Sequence, residues 1–141
     1  TFSAHPASCA AATAVLGILE REGLVERAAK MGELLARELA PLADHPHVAE
    51  VRGRGLLQAV ELVSRKATRE PFAADANVTA RIVGAGLRRG VFLYPGGCDP
   101  ARDVICLGPP LCIADEDLRM AARVLAEAVD EVTTRAAAER R

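Results

Sequence analysis

The order in which the apolar spacing changes along the chain is the feature that most restricts its fold. Leu24, Ala28, Met31, Leu35 and Leu39 recur at steps of three or four and line one side of a helix predicted over residues 24–42, with Glu26, Lys30, Glu33 and Arg37 on the other side. Asp44-His45-Pro46-His47 ends it, because the residue before a proline disfavours helical backbone. The spacing then drops to two. Residues 48–52 and 56–63 read as strands joined through Gly53-Arg54-Gly55, a tight connection that needs positive φ. In the second strand Leu56, Gln58, Val60 and Leu62 form a mostly apolar face.

A polar connector, residues 64–71, leads to a helix predicted over 74–89 and ended by Gly90. Residues 91–94 read as a short strand stopped by Pro95-Gly96-Gly97, and residues 103–107 as another stopped by Gly108-Pro109-Pro110. The last helix starts near Asp115, where Asp115, Glu116 and Asp117 favour the positive end of the helix dipole; its apolar face is Leu118, Ala122, Leu125, Val129 and Val132. At the front, residues 6–22 form a helix opened by Pro6 and stopped by Gly23. It is rich in Ala and carries Leu16 and Leu19, so most of it is expected to be buried. Residues 135–141 have no apolar anchor and are expected to fray.

Two helices, two strands, a helix, two strands and a closing helix cannot be threaded throughout as helices between parallel strands. The expectation is an α+β layer: a small, mostly antiparallel sheet with helices packed on one face, preceded by a long helix. No internal repeat, low-complexity segment or second domain is visible. Half the residues are hydrophobic but only 3% are aromatic, so the core must rest on Ala, Leu and Val.

Basic and acidic residues number 18 and 19. That balance gives no electrostatic reason to expect a nucleic-acid or membrane partner. No apolar run approaches the roughly 20 residues of a membrane-spanning helix, and no signal-peptide pattern is present. The chain opens at Thr1 without an initiator Met, so the expectation is a processed or truncated product or a fragment of a longer gene. Cys9, Cys98, Cys106 and Cys112 include no CxxC pair and have no histidine at zinc-ligand spacing. Reduced, mostly buried thiols and a cytoplasmic location are expected.

Read without a family, the residues offer little chemistry. His45 and His47 flank a proline in a polar loop and are expected to be solvated there, not to bind a metal. Gly53-Arg54-Gly55 lacks the spacing and the following helix of a dinucleotide fingerprint. Gly96-Gly97 reads as a loop. The two lysines are Lys30, on the polar side of a helix, and Lys66, in the connector; neither position promises the desolvation or neighbouring cation that activates a lysine nucleophile. Both are expected to be solvated.

Thr1-Phe2-Ser3-Ala4-His5-Pro6, with Ala7-Ser8-Cys9-Ala10-Ala11-Ala12 after it, resembles the Thr-aromatic-Ser-Gly-His-Pro-x-x-Cys-Ala-Ala-Ala segment of class III pyridoxal-phosphate aminotransferases, with Ala4 in place of the usual glycine. Ile18 to Leu24, Val51-Arg52-Gly53-Arg54-Gly55-Leu56, Glu61-Leu62-Val63, Gly90-Val91-Phe92-Leu93-Tyr94-Pro95 and Gly108-Pro109-Pro110-Leu111 continue the resemblance in the family's order, across about residues 1–130. Each motif is weak by itself; together they are specific.

The resemblance implies the C-terminal portion of a fold-type-I enzyme. Residues 1–22 would be the end of the cofactor-domain segment and a linking helix, residues 23–134 the small C-terminal domain, and residues 135–141 a frayed tail. A threonine at the place of Thr1 binds the phosphate of pyridoxal 5'-phosphate, reaching across from the neighbouring subunit of a homodimer. Such a charge-assisted bond contributes roughly 1.5–3 kcal/mol. The Schiff-base lysine lies upstream of Thr1 in the family, so no catalytic residue is expected here and the chain by itself is expected to be inactive. The implied reaction moves an amino group between an amine or amino acid and a keto acid. Another reaction on the same scaffold (aminomutase, decarboxylase or racemase) and a non-catalytic partner-binding module are the alternatives.

One departure bears on substrate. Ornithine-, acetylornithine- and 4-aminobutyrate-type members commonly carry an arginine three residues before the proline of the closing strand, and here that place is Cys106. Cysteine cannot bind a carboxylate as a guanidinium does. Those substrates are therefore disfavoured, with Arg102 in the preceding loop as the substitute candidate.

Overall fold

The computed structural model describes residues 3–99 and 101–138. The elements run α1 (Pro6–Arg21), α2 (Leu24–Leu39), β1 (Val48–Arg54), β2 (Leu57–Leu62), α3 (Val78–Arg88), β3 (Tyr94–Cys98), β4 (Ala101–Leu107) and α4 (Asp115–Ala138), with short 3-10 turns at Ala40–Asp44, Lys66–Thr68 and Ala74–Ala76. The four strands make one sheet in the order β1-β2-β4-β3, antiparallel at every junction. The α+β layer expected from the order of periodicities is the fold observed.

Register decides which residues face the helices. Val51 pairs with Val60, Val60 with Ile105, and Gln58 with Leu107. Residues paired across a ladder point to the same side, so this row forms the floor on which α2, α3 and α4 pack. Leu34, Leu35 and Leu39 of α2, Ile82 and Ala85 of α3, and Leu118, Leu125, Ala128 and Val129 of α4 close the core with Val60 and Ile105. Phe72 is the one aromatic residue in that cluster. The aliphatic core follows from the composition.

Two backbones meet where α2 crosses the β1–β2 hairpin. A Cβ on Gly32 would stand 2.3 Å from the Cα of Gly55. Gly55 itself holds φ of +55° in the two-residue turn. The turn lies at Gly55 and Leu56, since Arg54 already pairs with Leu57; Gly53 and Arg54, expected in the connection, belong to β1.

Four further expectations are corrected. Helix α1 has no buried residue: Val15, Leu16 and Ile18 all stand exposed, because α1 meets α2 and otherwise lies off the layer. Residues 91–93 precede the third strand, which begins at Tyr94 and runs through Pro95 and Gly96. Pro95 is tolerated because β3 is an edge strand, where a missing N–H breaks no inner ladder. Helix α4 continues past Arg135, since Ala136 extends the buried face one turn beyond Val132. Cys9, Cys98 and Cys112 are exposed free thiols, and only Cys106 is half-buried. They sit on α1, at the β3–β4 turn and in the loop before α4, all outside the core.

His45, His47 and Lys66 are structural. His45 Nδ1 accepts the amide hydrogen of His47 at 3.1 Å and its Nε2 lies 3.1 Å from Asp130. His47 Nδ1 is 3.1 Å from the carbonyl of Val63, and its ring stacks obliquely on Phe72. Lys66 donates to the carbonyls of Ala43 and His45, tying the connector to the turn after α2. Half-burial of these side chains, with partners supplied by neighbouring backbone and by Asp130 of α4, replaces the full solvation expected of a polar segment.

Candidate functional site

The sheet face turned away from the helices carries Leu57, Ala59 and Glu61 of β2, Val104 and Cys106 of β4, and Tyr94 and Gly96 of β3. It divides into a charged end and an apolar end. At the charged end Glu61 is only 8% exposed. Arg52 donates to it at 2.6 Å and Arg69 at 2.9 Å, while Glu50 meets both arginines at 3.4 Å. Burial alone would raise the Glu61 carboxyl, but the hydrogen bonds from Arg69 and Arg52 outweigh it and hold the group below its ordinary range. Arg69 sits at φ of +52°, so this network fixes a strained connector residue over the sheet.

At the apolar end, Tyr94 and Cys106 are direct partners across the β3–β4 ladder. Gly96 stands beside them on the same face, where a Cβ would come 2.6 Å from the Cys106 sulfur. The Phe92 ring meets Tyr94 edge to face, with centroids 6.5 Å apart. These residues border a cleft of about 500 Å³ that runs between the sheet end, the Gly108-Pro109-Pro110 turn and the start of α4. Arg27 of α2 holds that turn in place by donating to the carbonyls of Leu111 at 3.2 Å and Ile113 at 2.5 Å. Among the described residues lining the cleft there is no Lys, Arg or His; Asp117 is its one carboxylate.

The residues singled out from the sequence are not brought together. Cys106 lines this cleft. Arg102 does not; it pairs with Asp99 at 3.2 Å and borders a separate hollow with Asn77, Thr79 and Asp103. There Asp103 accepts a hydrogen bond from Thr79 at 2.9 Å. Thr1 lies outside the described residues. Tyr94 was not anticipated as part of the site, because a strand ending at residue 94 leaves no register to place it opposite Cys106. The signal available was its rarity: the chain has one tyrosine and no tryptophan.

Among the described residues no group of three or more His, Cys, Asp or Glu is arranged to hold a metal, and no helix is long and apolar enough to cross a membrane.

Comparison with known proteins connects this chain to a family. Residues 1–129 match the family model "Aminotransferase class-III". An uncharacterised aminotransferase of Schizosaccharomyces pombe is 44% identical over 122 residues, covering 84% of this chain and 27% of the relative. An uncharacterised aminotransferase of Bacillus subtilis is 39% identical, covering 94% of this chain and 29% of the relative. Among solved structures, an (S)-enantioselective omega-transaminase from Thermomicrobium roseum superposes with a TM-score of 0.84 at 38% identity, over 94% of this chain and 28% of that one. The chain thus spans a little over a quarter of the length of the relatives it matches, as a small domain of a fold-type-I transaminase. It belongs to the class III aminotransferases.

Proposed function

We propose that this chain is the substrate-covering C-terminal part of a pyridoxal-phosphate-dependent aminotransferase that moves an amino group between an amine or amino acid and a keto acid. One observation carries the reading: the family match runs through residues 1–129, yet that length is 27–29% of full-length relatives. The enzyme is a cytoplasmic homodimer in this reading. Residues 1–22 close the cofactor domain and link it to residues 23–134, the small domain.

Pyridoxal phosphate supplies an electron sink when bound. The described residues do not fit it by themselves. The cleft has no basic side chain for a phosphate, Lys66 spends its ammonium on backbone carbonyls, and Lys30 is exposed on α2, away from the cleft. The cofactor and its lysine are therefore assigned to a preceding segment, and Thr1 alone is assigned to the phosphate, as a hydroxyl donor to the partner subunit's cofactor. What this chain supplies is a wall that excludes water and shapes the space beside the reacting amine.

Cys106 stands where an arginine would receive a substrate carboxylate, so ornithine-, acetylornithine- and 4-aminobutyrate-type donors are disfavoured. Strong ornithine selectivity of the full-length enzyme would refute that statement. For the chain alone, mixing with pyridoxal phosphate is predicted to give no stable absorbance of lysine-bound cofactor. A stable band that disappears in Lys30→Ala or Lys66→Ala would show that the chain binds cofactor covalently without the rest of the enzyme.

A further inference from the structure

Arg27 stands where its own helix gains nothing from it. It lies in the first turn of α2, at the positive end of the helix dipole, which disfavours a cation. Among the described residues the partners of its guanidinium are two carbonyls and no carboxylate. Those carbonyls belong to Leu111 and Ile113, 84 and 86 residues further along the chain, and the bonds to them are half-buried. The arginine is thus explained by what it reaches. It reaches the segment from Gly108 to Ile113, which joins β4 to α4 and has little else to hold it. Pro109 and Pro110 bring no N–H, and the one backbone bond inside the segment runs from the Ile113 N–H to the Pro110 carbonyl at 3.0 Å. Gly108, Pro109, Pro110 and Ile113 all line the cleft, whereas Arg27 does not.

We propose that Arg27 is a positioning residue of the enzyme: by gripping the Leu111 and Ile113 carbonyls from α2, it holds the Gly108–Ile113 wall of the cleft in the place that substrate binding needs. The assignment rests on the reading above that this part of the chain covers the substrate. A guanidinium suits the task because its donors form a rigid fork, so two carbonyls two residues apart are fixed together. Each bond is charge-assisted and therefore stronger than one between neutral groups. The grip also starts close to Gly23, whose carbonyl accepts the Arg27 amide hydrogen at 3.0 Å. The start of α2 and the cleft wall are in this way tied to one another, although the sheet and α3 lie between them in the chain. Loss of the fork leaves the wall its prolines and a single turn. The wall carries no reacting group, so the effect of its drift falls mainly on binding.

The test uses the full-length enzyme and the donor that the wild type turns over fastest in a panel of amino acids and simple amines. Arg27→Met keeps the apolar stem and removes the fork; Arg27→Lys keeps the charge on a single nitrogen. Two quantities are read for each variant: amide hydrogen exchange in the peptide covering residues 108–114, and KM and kcat for the donor. Arg27→Met should speed exchange in that peptide by about tenfold or more and raise KM by about tenfold, with a much smaller change in kcat. Arg27→Lys should fall between Arg27→Met and the wild type in both, and it carries the test if Arg27→Met does not fold. A merely structural role gives a different result: kcat falls with the fraction of folded enzyme while KM stays at the wild-type value. That result overturns the assignment, as does faster exchange with KM unchanged, or a raised KM with exchange unchanged. A wild-type enzyme that transfers nitrogen from no amine in the panel would instead sink the proposed reaction, and this assignment with it.

Discussion

Gly32 packs its bare Cα against the backbone of Gly55, and neither backbone can yield without moving a helix or a hairpin. Gly32→Ala should therefore destabilise the fold by about 1–3 kcal/mol, read as a lower denaturation midpoint; a change below about 0.5 kcal/mol would contradict the contact. Titration gives a second handle. Burial lowers the His45 pKa from its ordinary value of 6.5; Asp130 pulls it back up, while His47 and Lys66 push it further down. The unfolded chain then takes up a proton that the folded chain resists, so stability should fall as pH drops below about 6.5. The denaturation midpoint should be lower at pH 5.5 than at 7.5, and His45→Gln should flatten the slope. Glu61 acts at lower pH. Its carboxyl is held below 4.5, so its contribution is complete above that value and is lost as pH falls through the depressed one. Glu61→Gln should cost about 1–3 kcal/mol near neutrality, with the deficit shrinking toward pH 3. Cys106 was legible as a departure from a pattern. The roles of His45, Glu61 and Arg69 were not, because they depend on how the irregular connector after β2 folds back over the sheet and on Asp130 reaching His45 from α4.

Elements with strict periodicity were legible and those without it were not. The stripes of α2 and α4 fall where the spacing places them, and β2 buries Gln58, Val60 and Leu62 as alternation predicts, with Leu56 buried in the turn before it and Glu61 covered on the other face. The third strand was misplaced because Pro95 and Gly96 read as breakers, and a sequence does not say that a strand lies at an edge where proline is harmless. Helix α1 was misjudged for the opposite reason: its Ala-rich composition signals burial, but the surface that would cover it is not in the layer. Leu16, 64% exposed, is thus predicted to be indifferent to charge in this chain. Leu16→Lys should leave stability within about 0.5 kcal/mol and reduce self-association on size exclusion. A larger loss would show that α1 is packed.

For the whole molecule, the layered fold and the family pattern were both legible, since each is spread over many weak signals that agree. The meeting of Tyr94 with Cys106 became visible only through register, and Arg102, four residues along the same strand, stays outside their cleft. The account divides labour. In the proposed reading this chain provides a wall whose described cleft residues include no Lys, Arg or His, and a preceding segment provides the cofactor and its lysine. Following isotopic nitrogen tests that division most directly. Full-length enzyme is given a ¹⁵N-labelled amine, an unlabelled keto acid and pyridoxal phosphate, and the products are weighed by mass spectrometry. The account predicts label in the new amino acid, one nitrogen for each donor consumed, and none when this chain is used alone. Transfer by the chain alone would contradict it, as would a full-length enzyme that rearranges, racemises or decarboxylates its substrate without passing the label on.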